Sequence, residues 1–146
     1  AHYYSPEVMN EQASALGLAC AKAIEESGKR VVLISSHSLS HRHFVTESPL
    51  PEDMSREHIY NHSQYGWDMK LVDMMRGGKM REVIDIMPEY TEQTIAETEA
   101  GGLTWMMSAM GYPDYPAEIY GYQSVIGTGN LIAAWDPMEA TPAIVL

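Results

Sequence analysis

Three histidines, His37, His41 and His43, fall within the stretch SHSLSHRHF. Imidazole is the side chain whose unperturbed pKa lies nearest neutrality, so such a cluster can bind a metal, move protons, or simply lend polarity to a loop. As a closed zinc site the spacing is poor: His41 and His43 are two apart, and no cysteine or nearby acid completes a tetrahedral set. A ferrous site of two histidines and one carboxylate is chemically possible, with open positions left for oxygen and substrate. Spacing alone does not establish it.

Glu97 and Glu99, in TIAETEAGGLTWMM, are the acids of most interest. A solvated helix face is the ordinary setting for both. Glu97 stands out because Ile95, Ala96, Leu103, Trp105 and Met106 imply a segment entering the interior, where a carboxylate requires a partner or a metal. His58 and His62 are four apart on an expected helix and could chelate, although exposed helix polarity is the better reading of the pair. Cys20 reads as a small core residue, and the methionines at 69, 74, 75, 87, 106, 107 and 110 read as core faces. The sequon Asn61-His62-Ser63 carries little force in a chain of this profile.

The elements that must position these residues follow from pattern. Apolar residues from Val8 to Ile24 recur at helical spacing between Pro6 and Ser27, and Gly28 stands where that helix stops. Val31, Val32, Leu33 and Ile34 form an uninterrupted β-branched run, as expected of a parallel strand buried on both faces. Residues 40–51 form a loop at the carboxyl end of that strand, the customary ligand position in open α/β sheets. Pro51 opens a helical stretch to Met75, stopped by Gly77-Gly78. Further helices are expected over Lys79–Met87 and over Thr91–Met110, the latter interrupted at Gly101-Gly102. Ile119 to Ile126 and Leu131 to Trp135, separated by Gly127-Thr128-Gly129-Asn130, read as strand-turn-strand. Ile132 stands where a dinucleotide loop would need its third glycine, so GTG is a turn. The expected fold class is α/β, a central mostly parallel or mixed sheet flanked by helices, with residues 1–146 a portion of one domain.

Nine basic against twenty acidic residues give a formal charge of −11, which argues against nucleic-acid and anionic-membrane partners and leaves a small organic substrate. A single cysteine fits a reducing cytoplasm, and no apolar run reaches the length of a membrane span. The start at Ala1, followed by loop-like residues, fits a piece of something larger or removal of an initiator methionine equally well.

The ordered blocks SHSLSHRHF, PEDMSREH, YGWDMKLVDMMRGGK, AETEAGGLTWMMSAMGYP and GYQSVIGTGN resemble the carboxyl-terminal half of the class III extradiol ring-cleavage dioxygenases, the family of protocatechuate 4,5-dioxygenase. The resemblance implies a nonheme Fe(II) enzyme that opens an aromatic ring with O2, with manganese satisfying a similar ligand set. It places the metal-binding glutamate on Glu97 and the acid-base histidine on His41. His43 matches a recurring histidine of the motif and, with Trp105, is assigned to the substrate pocket. No role transfers to His37. The implied substrate is a catechol, a protocatechuate-like acid or an aminophenol, the resemblance leaning toward the last.

The departure is that the two iron-binding histidines of that family lie in its amino-terminal half, which has no counterpart here. The resemblance therefore implies an amino-terminal partner chain or segment and an oligomeric assembly. A non-catalytic binding or scaffolding subunit of the same fold is the alternative, and a hydrolase reusing the pocket with another metal is a weaker third.

Overall fold

The structure, a computed structural model, describes residues 5–41, 62–125 and 127–137. Helix α1 (Pro6–Ser27) begins where the sequence places it: the Ser5 hydroxyl accepts from the Val8 amide at 3.2 Å and Pro6 occupies the first turn. It ends at Gly28, whose φ of 61° is left-handed and free of Cβ strain. Helices α2 (His62–Arg76) and α3 (Met80–Thr94) pack against each other. Helix α4 (Gly101–Ala109) lies against α1, where a Cβ on Gly17 would overlap the Trp105 carbonyl oxygen.

Strands β1 (Glu118–Val125) and β2 (Thr128–Ala134) form an antiparallel hairpin, the sheet of the described residues, in which Tyr122 faces Leu131 and Val125 faces Thr128. The register breaks between Ile119 and Gly121, a bulge at Tyr120, which is exposed. The core sits between α2, α3 and α4, with Leu71, Met75, Met80, Val83, Met87, Tyr90 and Met107 fully buried and Leu39 and Leu103 nearly so. The methionine reading therefore stands.

The mixture of helices and strands agrees with the α/β expectation, and three local expectations are corrected. Val31–Ile34 was expected to be buried on both faces, yet Val31, Val32 and Ile34 are 48%, 85% and 78% exposed. Exposure alternates from Val32 to His37, the period of an extended chain, and no backbone hydrogen bond ties residues 30–37 to another described segment. The pattern describes a strand, but no described neighbour pairs with it. Helix α3 runs past Met87 through Pro88, because seven residues from Met80 to Thr94 bury one continuous face and that packing outweighs a missing hydrogen bond. The helical break expected at Gly101-Gly102 falls instead at residues 95–100, and both glycines lie inside α4.

Candidate active site

The break carries Glu97. Ile95 closes α3 in the left-handed region at φ 52°, and a 3-10 turn over Glu97–Ala100 holds Thr98, Glu99 and Ala100 at φ 49°, 49° and 57°. Non-glycine residues pay on the order of 1–2 kcal/mol each in that region, and a β-branched isoleucine is a genuine outlier there. Such strain, gathered beside the Glu97 carboxylate, persists only where the surrounding structure enforces it.

Residues 38–41 form the facing wall. The Ser38 amide donates to Glu97 Oε2, and the Glu97 amide donates back to the Leu39 carbonyl at 3.3 Å. The Leu39 amide donates to the Gly129 carbonyl at 2.8 Å, the Gly129 amide to Ser40 at 2.9 Å, and the His41 amide to Thr94 at 3.4 Å. His41 also bridges Thr128 at the start of β2. The loop is thus laced to both the hairpin and the α3 terminus.

These bonds bring two of the expected site residues together. His41 Nδ1 lies 3.9 Å from Glu97 Oε2, with the side chains 26% and 34% exposed. The Ser38 amide holds the Glu97 carboxyl below its ordinary range, against partial burial that pushes it up, and His41 and His37 add to the lowering. Glu97 therefore stays an anion, half open to solvent, beside an imidazole.

His37 turns its Nδ1 to the Ser38 carbonyl at 2.7 Å, and its ring also approaches Gly102. Trp105 faces α1, donates its indole N–H to Cys20 Sγ at 3.4 Å, and lines a cleft with Met9, Leu16, Thr98 and Gly102. That cleft reaches Thr98, next to Glu97. Cys20 is half-buried rather than a core residue. His43 and His58 lie outside the described residues, and His62 is exposed at the start of α2.

Sequence reasoning missed Asp68. Its carboxylate is fully buried and accepts from Ser40 N at 3.2 Å, Ser40 Oγ at 2.7 Å, Tyr90 Oη at 2.6 Å and Tyr122 Oη at 2.6 Å. Burial pushes its pKa up, and the four hydrogen bonds pull the other way. Burial, with the Asp68 charge, likewise drives Tyr90 well above an ordinary phenol, so Tyr90 keeps its proton and donates. The overlooked signal is positional: Asp68 shares the buried face of α2 with Gln64, Leu71, Val72 and Met75, where a solvated charge does not belong.

Among the described residues no group of three or more His, Cys, Asp or Glu side chains is placed to hold a metal ion. Glu97 with its neighbouring imidazole suits one carboxylate position of a two-histidine-one-carboxylate set, and further donors would have to come from elsewhere.

An anionic glutamate and a histidine 3.9 Å apart are groups of the kind that acid-base or metal-assisted chemistry uses. Residues 2–133 match the family model of the catalytic LigB subunit of aromatic ring-opening dioxygenase, and the chain belongs to that family. It is 45% identical over 139 residues to the 2-aminophenol 1,6-dioxygenase beta subunit of a Pseudomonas species, covering 95% of this chain and 46% of that one. It is 27% identical over 105 residues to the 3,4-dihydroxyphenylacetate 2,3-dioxygenase of Escherichia coli, covering 72% of this chain and 37% of that one. The chain thus spans less than half the length of both relatives. No described helix is long and apolar enough to cross a membrane.

Proposed function

We propose that this chain is part of a nonheme Fe(II) extradiol dioxygenase that opens a catechol or 2-aminophenol ring beside, rather than between, its two substituents. The observation that carries the reading is the pairing of His41 with Glu97 in a chain belonging to a ring-opening family. The name of the 45% identical relative favours an aminophenol.

In this reading Glu97 supplies the carboxylate ligand, and two histidines come from a separate amino-terminal chain or segment. The bound ferrous ion, for which manganese is a chemical substitute, supplies the point where ring and O2 meet. The chain's own residues do the rest. The Ser38 amide fixes the Glu97 carboxylate and keeps it ionised. His41 takes a proton from the ring hydroxyl and returns one as the ring opens. Trp105 and His43 border the substrate.

The surface supports a missing companion. Val32 and Ile34 stand exposed on an extended segment that pairs with no other described segment, and Leu16 and Leu18 on α1 are also exposed. A segment carrying neighbouring strands would complete residues 30–36 as an inner strand of a mostly parallel or mixed sheet, the fold expected of the whole domain. The assembly is oligomeric and acts in the reducing cytoplasm.

The test is metal analysis and oxygen uptake on the anaerobically purified assembly. About one iron per site, with O2 consumed only when catechol or 2-aminophenol is supplied, bears the proposal out. An assembly complete in all its chains that holds no metal and consumes no O2 overturns it in favour of a scaffolding subunit.

A further inference from the structure

Asp68 is a costly residue to bury, since a carboxylate withdrawn from water needs full hydrogen bonding to be tolerated. Here it has that bonding, and the partners are informative. Two of its four donors belong to Ser40, the residue before His41. A third, Tyr90, sits one turn before Thr94, whose carbonyl receives the His41 amide. Thr94 is itself fixed, its hydroxyl donating to the Tyr90 carbonyl at 2.7 Å and its carbonyl accepting from Gln64 Nε2 at 2.9 Å. The fourth, Tyr122, comes from β1. One carboxylate therefore joins α2, α3, the hairpin and the loop, all converging on residues 40 and 41.

We infer that Asp68 is a positioning residue of the ring-opening site: by gripping the Ser40 backbone and the Tyr90 hydroxyl it sets the main chain at His41 and so aims the imidazole toward Glu97 and the substrate. The inference rests on the ring-opening reading for what His41 does, but not for what Asp68 holds. An apolar side chain at position 68 would fill the same space, yet could not accept from the Ser40 amide, nor from three hydroxyls at once. Gly129 is packed so close that a Cβ would overlap Asp68 Oδ2 and lie 2.6 Å from Tyr122 Oη, so the hairpin closes directly over the hub. On the other side of the loop, Ser38 is held by Glu97. The loop is thus clamped at both ends of the tetrapeptide that presents His41.

The experiment uses the assembled protein carrying Asp68→Asn, Tyr122→Phe, or either with His41→Ala. Asp68→Asn keeps shape but turns one acceptor oxygen into a donor. Its kcat should fall on the order of 100-fold, with KM for the aromatic substrate within about twofold, because aim rather than affinity is lost. Tyr122→Phe, which deletes one donor and leaves the hub otherwise intact, should show a smaller fall of the same kind. In a His41→Ala background Asp68→Asn should add less than about threefold, since its effect passes through the imidazole. Amide hydrogen exchange at Ser40 and His41 should quicken in both single variants, with α1 amides unchanged.

An equal kcat loss with and without His41, or unchanged exchange at residues 40 and 41, overturns the inference. If the wild-type assembly opens no ring, the functional reading fails by itself. Exchange at residues 40 and 41 still decides whether Asp68 holds them. Should Asp68→Asn fail to fold, Tyr122→Phe carries the same comparisons.

Discussion

His41 Nδ1 stands 3.9 Å from Glu97 Oε2, near enough for the carboxylate charge to reach the ring and too far for a hydrogen bond. In the proposed function the two side chains serve separate roles, Glu97 as metal ligand and His41 as acid-base group, so their removal should have separable effects. His41→Ala should leave iron in the assembly while kcat drops roughly 100-fold or more, the usual worth of a positioned acid-base group. Glu97→Gln should instead lower iron content, because it takes the anion from the ligand set while keeping an oxygen for the Ser38 amide. Metal analysis beside steady-state kinetics distinguishes the two. Equal iron loss in both variants would contradict the division.

The buried carboxylate of Asp68 sets a pH dependence with a definite sign. Its pKa is raised in the folded state, chiefly by desolvation, so the native protein holds this proton more tightly than the unfolded chain does. Its contribution favours the fold most below the unfolded value of about 3.9 and declines as pH rises through the raised folded value. Asparagine at that position does not titrate. The melting-temperature difference, wild type minus Asp68→Asn, should therefore shrink as pH rises from about 4 toward neutrality. Differential scanning calorimetry at several pH values gives that slope, and a difference that grows with pH would refute the assignment.

Much of the scaffold could be read from local pattern. Ser5-Pro6 and Gly28 mark both ends of α1, and the two apolar runs mark the hairpin, but Thr128, Gly129 and Asn130, expected in its turn, are paired residues of β2 and the hairpin closes between Val125 and Thr128. The Val31–Ile34 run reports an environment that depends on segments not paired to it here, so its pattern was legible and its burial was not. The site was harder still. Ile95, Thr98, Glu99 and Ala100 carry no turn chemistry in their side chains, yet all four are left-handed. The role of Asp68 emerges only when Ser40, Tyr90 and Tyr122, distant in sequence, meet around it.

Gly129 is closed to any larger residue. A Cβ there would overlap Asp68 Oδ2 and sit 2.9 Å from Ser40 Oγ, side-chain ends that are hydrogen-bonded to one another and so cannot yield independently. Gly129→Ala should destabilise the protein by about 1–3 kcal/mol, the range for overpacking, and should speed exchange at the Ser40 amide. Urea titration reads the first and hydrogen exchange the second. A neutral substitution would show that the hub tolerates displacement.

The strained turn predicts an inverted glycine effect. Ile95 is 40% exposed at φ 52°, the position at which a helix prefers glycine, whereas Leu18 is 53% exposed within regular α1. Leu18→Gly should cost about 1 kcal/mol through lost helix propensity. Ile95→Gly relieves left-handed strain worth about 1–2 kcal/mol, which offsets the added backbone freedom of the unfolded chain, so it should be neutral or stabilising. Denaturant midpoints of the two variants should fall on opposite sides of, or at unequal distances from, the parent. If Ile95→Gly costs as much as Leu18→Gly, the turn does not store strain at Ile95. If Ile95→Gly stabilises the protein yet slows ring opening, the left-handed geometry is retained for the placement of Glu97 rather than for stability.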